Sequence, residues 1–232
     1  MELKTFFMII AIDGPSGAGK STLGKMLAKK LNLLYLDTGA MYRAVALAVV
    51  RANVGFENTE AVVRIAENAE IELIGEPDAL RVILDGSDVS IEIRTLEAAQ
   101  AASVVSTISS VRKIMVEHQR AIGENAPNGC VLEGRDIGSV VFPNADIKFF
   151  LTAKPEARAQ RRFLEDQSKG RISTYEQTLA EINERDQRDV SREDSPLVIA
   201  QDAVVIDTSE LDLTEVFEAM IAKIDERMAA AA

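Results

Sequence analysis

The sequence predicts an α/β protein, a parallel sheet covered by helices on both faces, with a small antiparallel insert. Three observations carry this reading. Short apolar runs recur along the chain ("FFMIIAI", "LLYLD", "GCVLEG", "DIKFFLT" and "DAVVIDT"), each bounded by turn-forming residues. Segments with helical spacing of apolar positions lie between them, the alternation that a sheet buried on both faces requires. From about Glu70 to Arg94 the rhythm breaks: "IELI", "RVILDG" and "VSIEI" alternate apolar with polar and are separated by "GEPD" and "DGSD". Those three runs read as antiparallel strands, not as another strand–helix unit.

In order, "FFMIIAI" is the first strand, and "KSTLGKMLAKKL" is a helix with Leu23, Leu27 and Leu31 on one face. "LLYLD" and "AMYRAVALAVVRA" repeat strand and helix. After the insert come three buried strands, and the last leads into the helix "TEVFEAMIAKIDERM", where Asp212 and Glu215 form a capping pair at the entry. The terminal alanines read as a frayed helix end.

The chain has 232 residues, 47% of them hydrophobic, enough for one sizeable core with smaller appended lobes. No apolar stretch approaches the roughly 20 residues that a membrane span needs. The start, "MELKTFFMII", meets Asp13 too soon for a secretory signal. The single cysteine, Cys130, excludes an internal disulfide and a thiolate metal site, so the expected setting is a reducing cytoplasm. Its place in "CVL" marks it as buried packing. The one histidine, His118, sits in the charged helical pattern "MVEHQR" and is assigned no catalytic role. A formal net charge of −11 argues against nucleic acid as a partner. Small anions stay open, because arginines cluster at Arg158, Arg161, Arg162, Arg171, Arg185, Arg188 and Arg192.

"GPSGAGKS", Gly14 to Ser21, fits G-x-x-x-x-G-K-[ST] between a strand and a helix, the context that makes this phosphate-loop pattern credible. Glycines let successive backbone N–H groups turn toward one anion, and the helix adds its positive end. The expected triphosphate cradle is Gly14, Ser16, Gly17, Ala18, Gly19, Lys20, Ser21 and Thr22. In it Lys20 bridges the β- and γ-phosphates and Ser21 ligates Mg²⁺. The fold class is thus a P-loop NTPase type using a nucleoside triphosphate. No N-K-x-D guanine reader and no L-S-G-G-Q signature is present.

A kinase of small acceptors needs a second anion site facing the first. "LDTGAMYR" places Thr38 at a strand end and Arg43 early in the next helix, at the carboxyl edge of the sheet. "EGRDIG" places Arg135 and Asp136 at the same edge. "ERDQRDVSR" sets Arg185, Arg188 and Arg192 on roughly one helix face, with Asp189 close by. Guanidinium groups grip phosphate oxygens in pairs, and a carboxylate accepts from an exocyclic amine such as cytosine N4. Taken alone, these residues leave open a kinase of another small acceptor or a regulatory ATPase.

"IDGPSGAGKST", "LDTGAMYR", "EIRT", "EGRDIG", "RAQRR", "ERDQRD" and "IDTS" occur in that order, and together they closely resemble the bacterial-type cytidylate kinases from about Met8 to Met228. The resemblance implies phosphoryl transfer from ATP to CMP or dCMP with Mg²⁺; nothing in the sequence demands more than a monomer. It divides the chain into core (1–37), acceptor lobe (38–99, with the insert at about 70–94), core (100–155), lid (156–170) and core (171–232). The lid would bring Arg158, Arg161 and Arg162 to ATP. Thr38, Arg112, Asp136 and Arg192 resemble the cytosine pocket; Ser103, Arg185 and Asp189 the ribose side; Arg43 and Arg135 the grip on the acceptor phosphate. Lys20, Arg135, Arg185 and Arg192 are the expected catalytic set.

Overall fold

A computed structural model describes residues 7–168 and 170–231, with the side chain of Ala231 excepted. Phe6 of the first apolar run, Lys169 of the lid segment and Ala232 lie outside the described residues. Five strands form one parallel sheet: β1 (Met8–Asp13), β2 (Leu34–Asp37), β6 (Gly129–Gly134), β7 (Ile147–Thr152) and β8 (Val204–Asp207). Their spatial order is β2-β6-β1-β7-β8. Register brings the carboxyl ends to one edge, with Asp37 opposite Glu133, Asp13 opposite Gly134, and Thr152 opposite Asp207.

Alternation along the strands builds a core on each face. Ile10, Ile12, Val131, Phe149 and Leu151 face α1 (Lys20–Leu31) and α8 (Leu213–Ala231) through Leu23, Leu27, Val216 and Met220. Ala11, Cys130 and Leu132, the intervening positions, face Val116 of α5 (Ser109–Glu124) and the turn Ile137–Val141. Each buried Val, Leu, Ile, Phe or Met side chain stabilises the fold by roughly 1.5–3 kcal/mol. The Cys130 thiol is fully buried and pushed up to about 12 by that burial, as packing requires. Asp212 and Glu215 cap α8 reciprocally, at 2.9 and 2.8 Å. Among the described residues, no helix is long and apolar enough to cross a membrane.

A second core joins α2 (Thr38–Arg51), α3 (Thr59–Asn68), α4 (Leu96–Val105) and α5 through Met41, Val45, Val62, Val105 and Met115. The insert packs on α2 through Ala40, Ala44, Val82, Leu84 and Ile93. It is antiparallel: β3 (Ile71–Ile74), β4 (Arg81–Leu84) and β5 (Ser87–Asp88). The third strand differs from expectation, because "VSIEI" is not a strand. Asp85 and Gly86, at φ 50° and 76°, make a two-residue hairpin turn, so pairing resumes at once with Ser87 and Asp88. Val82 N–H then donates to the Ser90 hydroxyl at 2.9 Å, which ends the ladder, and Glu92–Arg94 coil into a 3₁₀ turn. α6 (Pro155–Ser168) and α7 (Tyr175–Ser191) pack against each other over the sheet's carboxyl edge.

Candidate active site

The loop from Gly14 to Gly19 joins β1 to α1. Glycine is compulsory at Gly14: φ is 145°, and a Cβ there would lie 2.0 Å from the Leu151 carbonyl oxygen. Lys20 opens α1 and is almost fully buried, its Nζ donating to the Pro15 carbonyl at 2.7 Å. Burial, reinforced by Arg135, pushes the ammonium down to about 7, while Glu133 opposes the shift. Beyond the loop opens a cavity of about 980 Å³. Eleven lysines and arginines and six carboxylates line it, so in a strongly acidic chain this one surface is cationic.

One wall is a network of buried ion pairs. Arg112, on α5, donates to Asp136 and, at 3.1 Å, to the Ser106 carbonyl; its guanidinium lies 5.6 Å from the Tyr42 ring centre. Arg135 Nε donates to Asp189 Oδ2 at 2.6 Å, and Arg192 donates to the other oxygen of Asp189. Burial alone would raise the Asp189 carboxyl, but Arg135, Arg192 and Arg185 bring it below the usual carboxylate range. Arg185 reaches Ser16 Oγ at 3.5 Å and is pushed down to about 9, by loss of water first and by Arg135 second. Arg43 pairs with Asp37 at 3.0 Å, and Thr38 donates to the Glu133 carbonyl at 2.6 Å. Among the described residues, the Nε atoms of Arg43, Arg112, Arg185 and Arg192, all on cavity residues, are buried without a hydrogen-bond partner. A buried unpaired donor costs about 1–3 kcal/mol, so these groups are poised for an anion.

The remaining sequence candidates fall in three places. Ser103 lines the cavity, its hydroxyl accepting from Arg188 at 2.9 Å. Arg161 and Arg162, on α6, line the opposite wall. Arg161 donates to Thr208, and Arg162 lies 3.6 Å from Glu181. Arg158 stands behind the phosphate loop, only 2% exposed, holding Asp186 at 2.6 Å, the Ser16 carbonyl at 3.1 Å and the Ala153 carbonyl at 2.9 Å. Its position is that of a tether, and it does not line the cavity.

Residues 10–226 match the cytidylate kinase family. The chain belongs to that family. It is 52% identical to the cytidylate kinase of Caldanaerobacter subterraneus subsp. tengcongensis, over 90% of this chain and 91% of that one. It is 46% identical to the cytidylate kinase of Geobacter sp. (strain M21), over 96% and 94%. An uncharacterized protein from Eubacterium ventriosum shares the fold, with a TM-score of 0.50 at 14% identity, covering 94% of this chain and 98% of that one.

Several residues of this cytidylate kinase family member were absent from the sequence-based set. Asp13 is buried and accepts from the Ile137 and Gly138 amides at 2.8 and 2.7 Å, pinning the turn behind Arg135 and Asp136. Burial pushes its carboxyl up to about 6 against those two hydrogen bonds. Glu133 and Asp37 end adjacent strands beside Ser21. Tyr35 donates to Glu133 at 2.7 Å, and Ser21 hydrogen-bonds the same carboxylate. Burial raises Glu133, and the Asp37 charge raises it further. Both acids stand in quoted motifs at the ends of strands, and that position was the available signal. Tyr42 stands in "LDTGAMYR" and Arg171 among the clustered arginines, yet neither was given a role, and Ser106 carried no signal.

Proposed function

We propose that this cleft transfers the γ-phosphoryl group of ATP to CMP or dCMP, giving ADP and CDP or dCDP. Family membership and the phosphate loop support the reaction. The observation that carries the site is the cationic cavity beside that loop, with unpartnered guanidinium nitrogens on its walls.

The acceptor phosphate is already ionised at neutral pH, so no general base is needed, and the half-buried His118 stays outside the cavity lining. The chemistry needs two anions brought end to end and their repulsion cancelled. Lys20 would leave the Pro15 carbonyl for the β- and γ-phosphates. Arg185, between Ser16 and the acceptor wall, would lie beside the transferred group. Arg43 and Arg135 would hold the acceptor phosphate. Asp136, fixed by Arg112, would accept from the cytosine amine, with Thr38 and Arg192 completing the pocket. Ser103 and Asp189 would face the ribose. Arg161 and Arg162 would close on the ATP side, sealing the cleft from water.

Mg²⁺ fits the loop mouth. Glu133 and Asp37 press their charges together beside the Ser21 hydroxyl, and a cation relieves that repulsion. Among the described residues no cluster of three or more acids, histidines or cysteines could enclose a metal, which suits an ion held largely by phosphates and water. Bound there, Mg²⁺ would neutralise charge on the β- and γ-oxygens. A monomer in a reducing cytoplasm suits the acidic chain and its single buried cysteine.

Coupled ADP release with CMP, dCMP, UMP and AMP tests the reading. Activity is expected with CMP and dCMP and strongly reduced with the others. ATP hydrolysis indifferent to every monophosphate contradicts it.

A further inference from the structure

The residues proposed for the acceptor base and ribose are joined in a closed circuit that runs through Ser106. Arg112 donates to Asp136. Asp136 follows Arg135 in the chain, and Arg135 donates to one oxygen of Asp189. Arg192 donates to the other oxygen of Asp189 and, at 3.1 Å, to Ser106 Oγ. The circuit closes where Arg112 Nη1 donates to the Ser106 carbonyl at 3.1 Å.

Ser106 is well placed to hold two guanidinium groups at once. It terminates α4 as its C-cap, with its amide bonded to the Ala102 carbonyl at 2.9 Å. It is 6% exposed and lines the cavity. Its hydroxyl donates to the Ser103 carbonyl at 3.0 Å, which turns an oxygen lone pair toward Arg192. Arg112 depresses the charged form of Arg192, so the two cations repel. Two acceptor oxygens of one neutral residue offset that repulsion without adding a third carboxylate to Asp136 and Asp189, which already pair with these cations. Among the described residues, the Nε atoms of both arginines have no hydrogen-bond partner.

We infer that Ser106 is a positioning residue for the acceptor site, acting through Arg192 and setting CMP affinity without touching the ATP side. This rests on the reading of the cleft given above. Steady-state kinetics of S106A should show KM for CMP raised about tenfold, the loss of one hydrogen bond to a charged group. KM for ATP should stay within about twofold and kcat within about threefold. S106T keeps the hydroxyl and should restore KM for CMP. In an R192A background, S106A should add nothing, because its partner is already gone.

A KM for CMP within twofold of the unsubstituted protein overturns the proposal. So do equal rises for CMP and ATP, an S106T as weak as S106A, or an S106A effect that persists in full beside R192A. Failure of the unsubstituted protein to release ADP in response to CMP is a different result: it overturns the cleft reading, and the role of Ser106 falls with it.

Discussion

ATP binding should take up a proton at pH 8, and Lys20 should be where it lands. The Lys20 ammonium is bonded to the Pro15 carbonyl and nearly shut off from water. Burial first, and Arg135 next, push it from 10.5 down to about 7. At pH 8 about one Lys20 in ten then carries its proton. A triphosphate in the loop brings several negative charges against this nitrogen and restores the ordinary ammonium range, so uptake approaches about 0.9 proton per ATP. ATP affinity should accordingly fall as pH rises above 7, by up to about tenfold per unit. The unfolded chain binds more protons at this group between about 7 and 10.5, so its burial cost to folding, about 5 kcal/mol at most below pH 7, fades across that window as pH rises. Isothermal titration calorimetry with Mg-ATP at pH 8, in buffers of differing ionisation enthalpy, reads the protons directly. K20R, whose guanidinium keeps its charge, should retain only about a tenth of a proton, from Arg185. No uptake by the unsubstituted protein, or equal uptake by K20R, refutes the reasoning.

Three further outcomes follow from particular contacts. R158A should lower stability by about 3–5 kcal/mol, which for a chain of this size is a melting temperature about 6–20 °C lower by differential scanning fluorimetry; a shift under about 2 °C would contradict the tether. G14A should be far less stable in urea than G170A, because a Cβ at Gly14 overlaps a carbonyl while one at Gly170 meets open space; similar midpoints would contradict the loop geometry. D136A should lose about ten- to a hundredfold of its preference for CMP over UMP in kcat/KM, with an intact preference ruling out Asp136 as the base reader.

The phosphate loop was legible because its chemistry is local: glycine spacing, one lysine and one hydroxyl between an apolar run and a helix whose Leu23 and Leu27 pack as their spacing requires. The alternation of strands and helices was legible for the same reason. What sequence spacing could not resolve is which cation meets which acid across the fold. Arg158, Arg161 and Arg162 look alike in "RAQRR", yet Asp186 and the Ser16 carbonyl claim only the first. Arg185, Arg188 and Arg192 share a helical spacing, but Arg188 turns to Ser103 and Glu184, outside the main cavity lining. "VSIEI" alternates as a strand does, and the Asp85-Gly86 turn, with the Ser90 hydroxyl taking a ladder hydrogen bond, spends the pairing before it begins.

Single-turnover transfer of labelled γ-phosphate from ATP to CMP, compared between the unsubstituted protein and R185A, tests most directly whether the guanidinium groups join two nucleotides in one reaction. R185A should still bind ATP, melt within a few degrees of the unsubstituted protein, and transfer phosphate about a thousandfold or more slowly. Transfer at close to the unsubstituted rate would contradict the account.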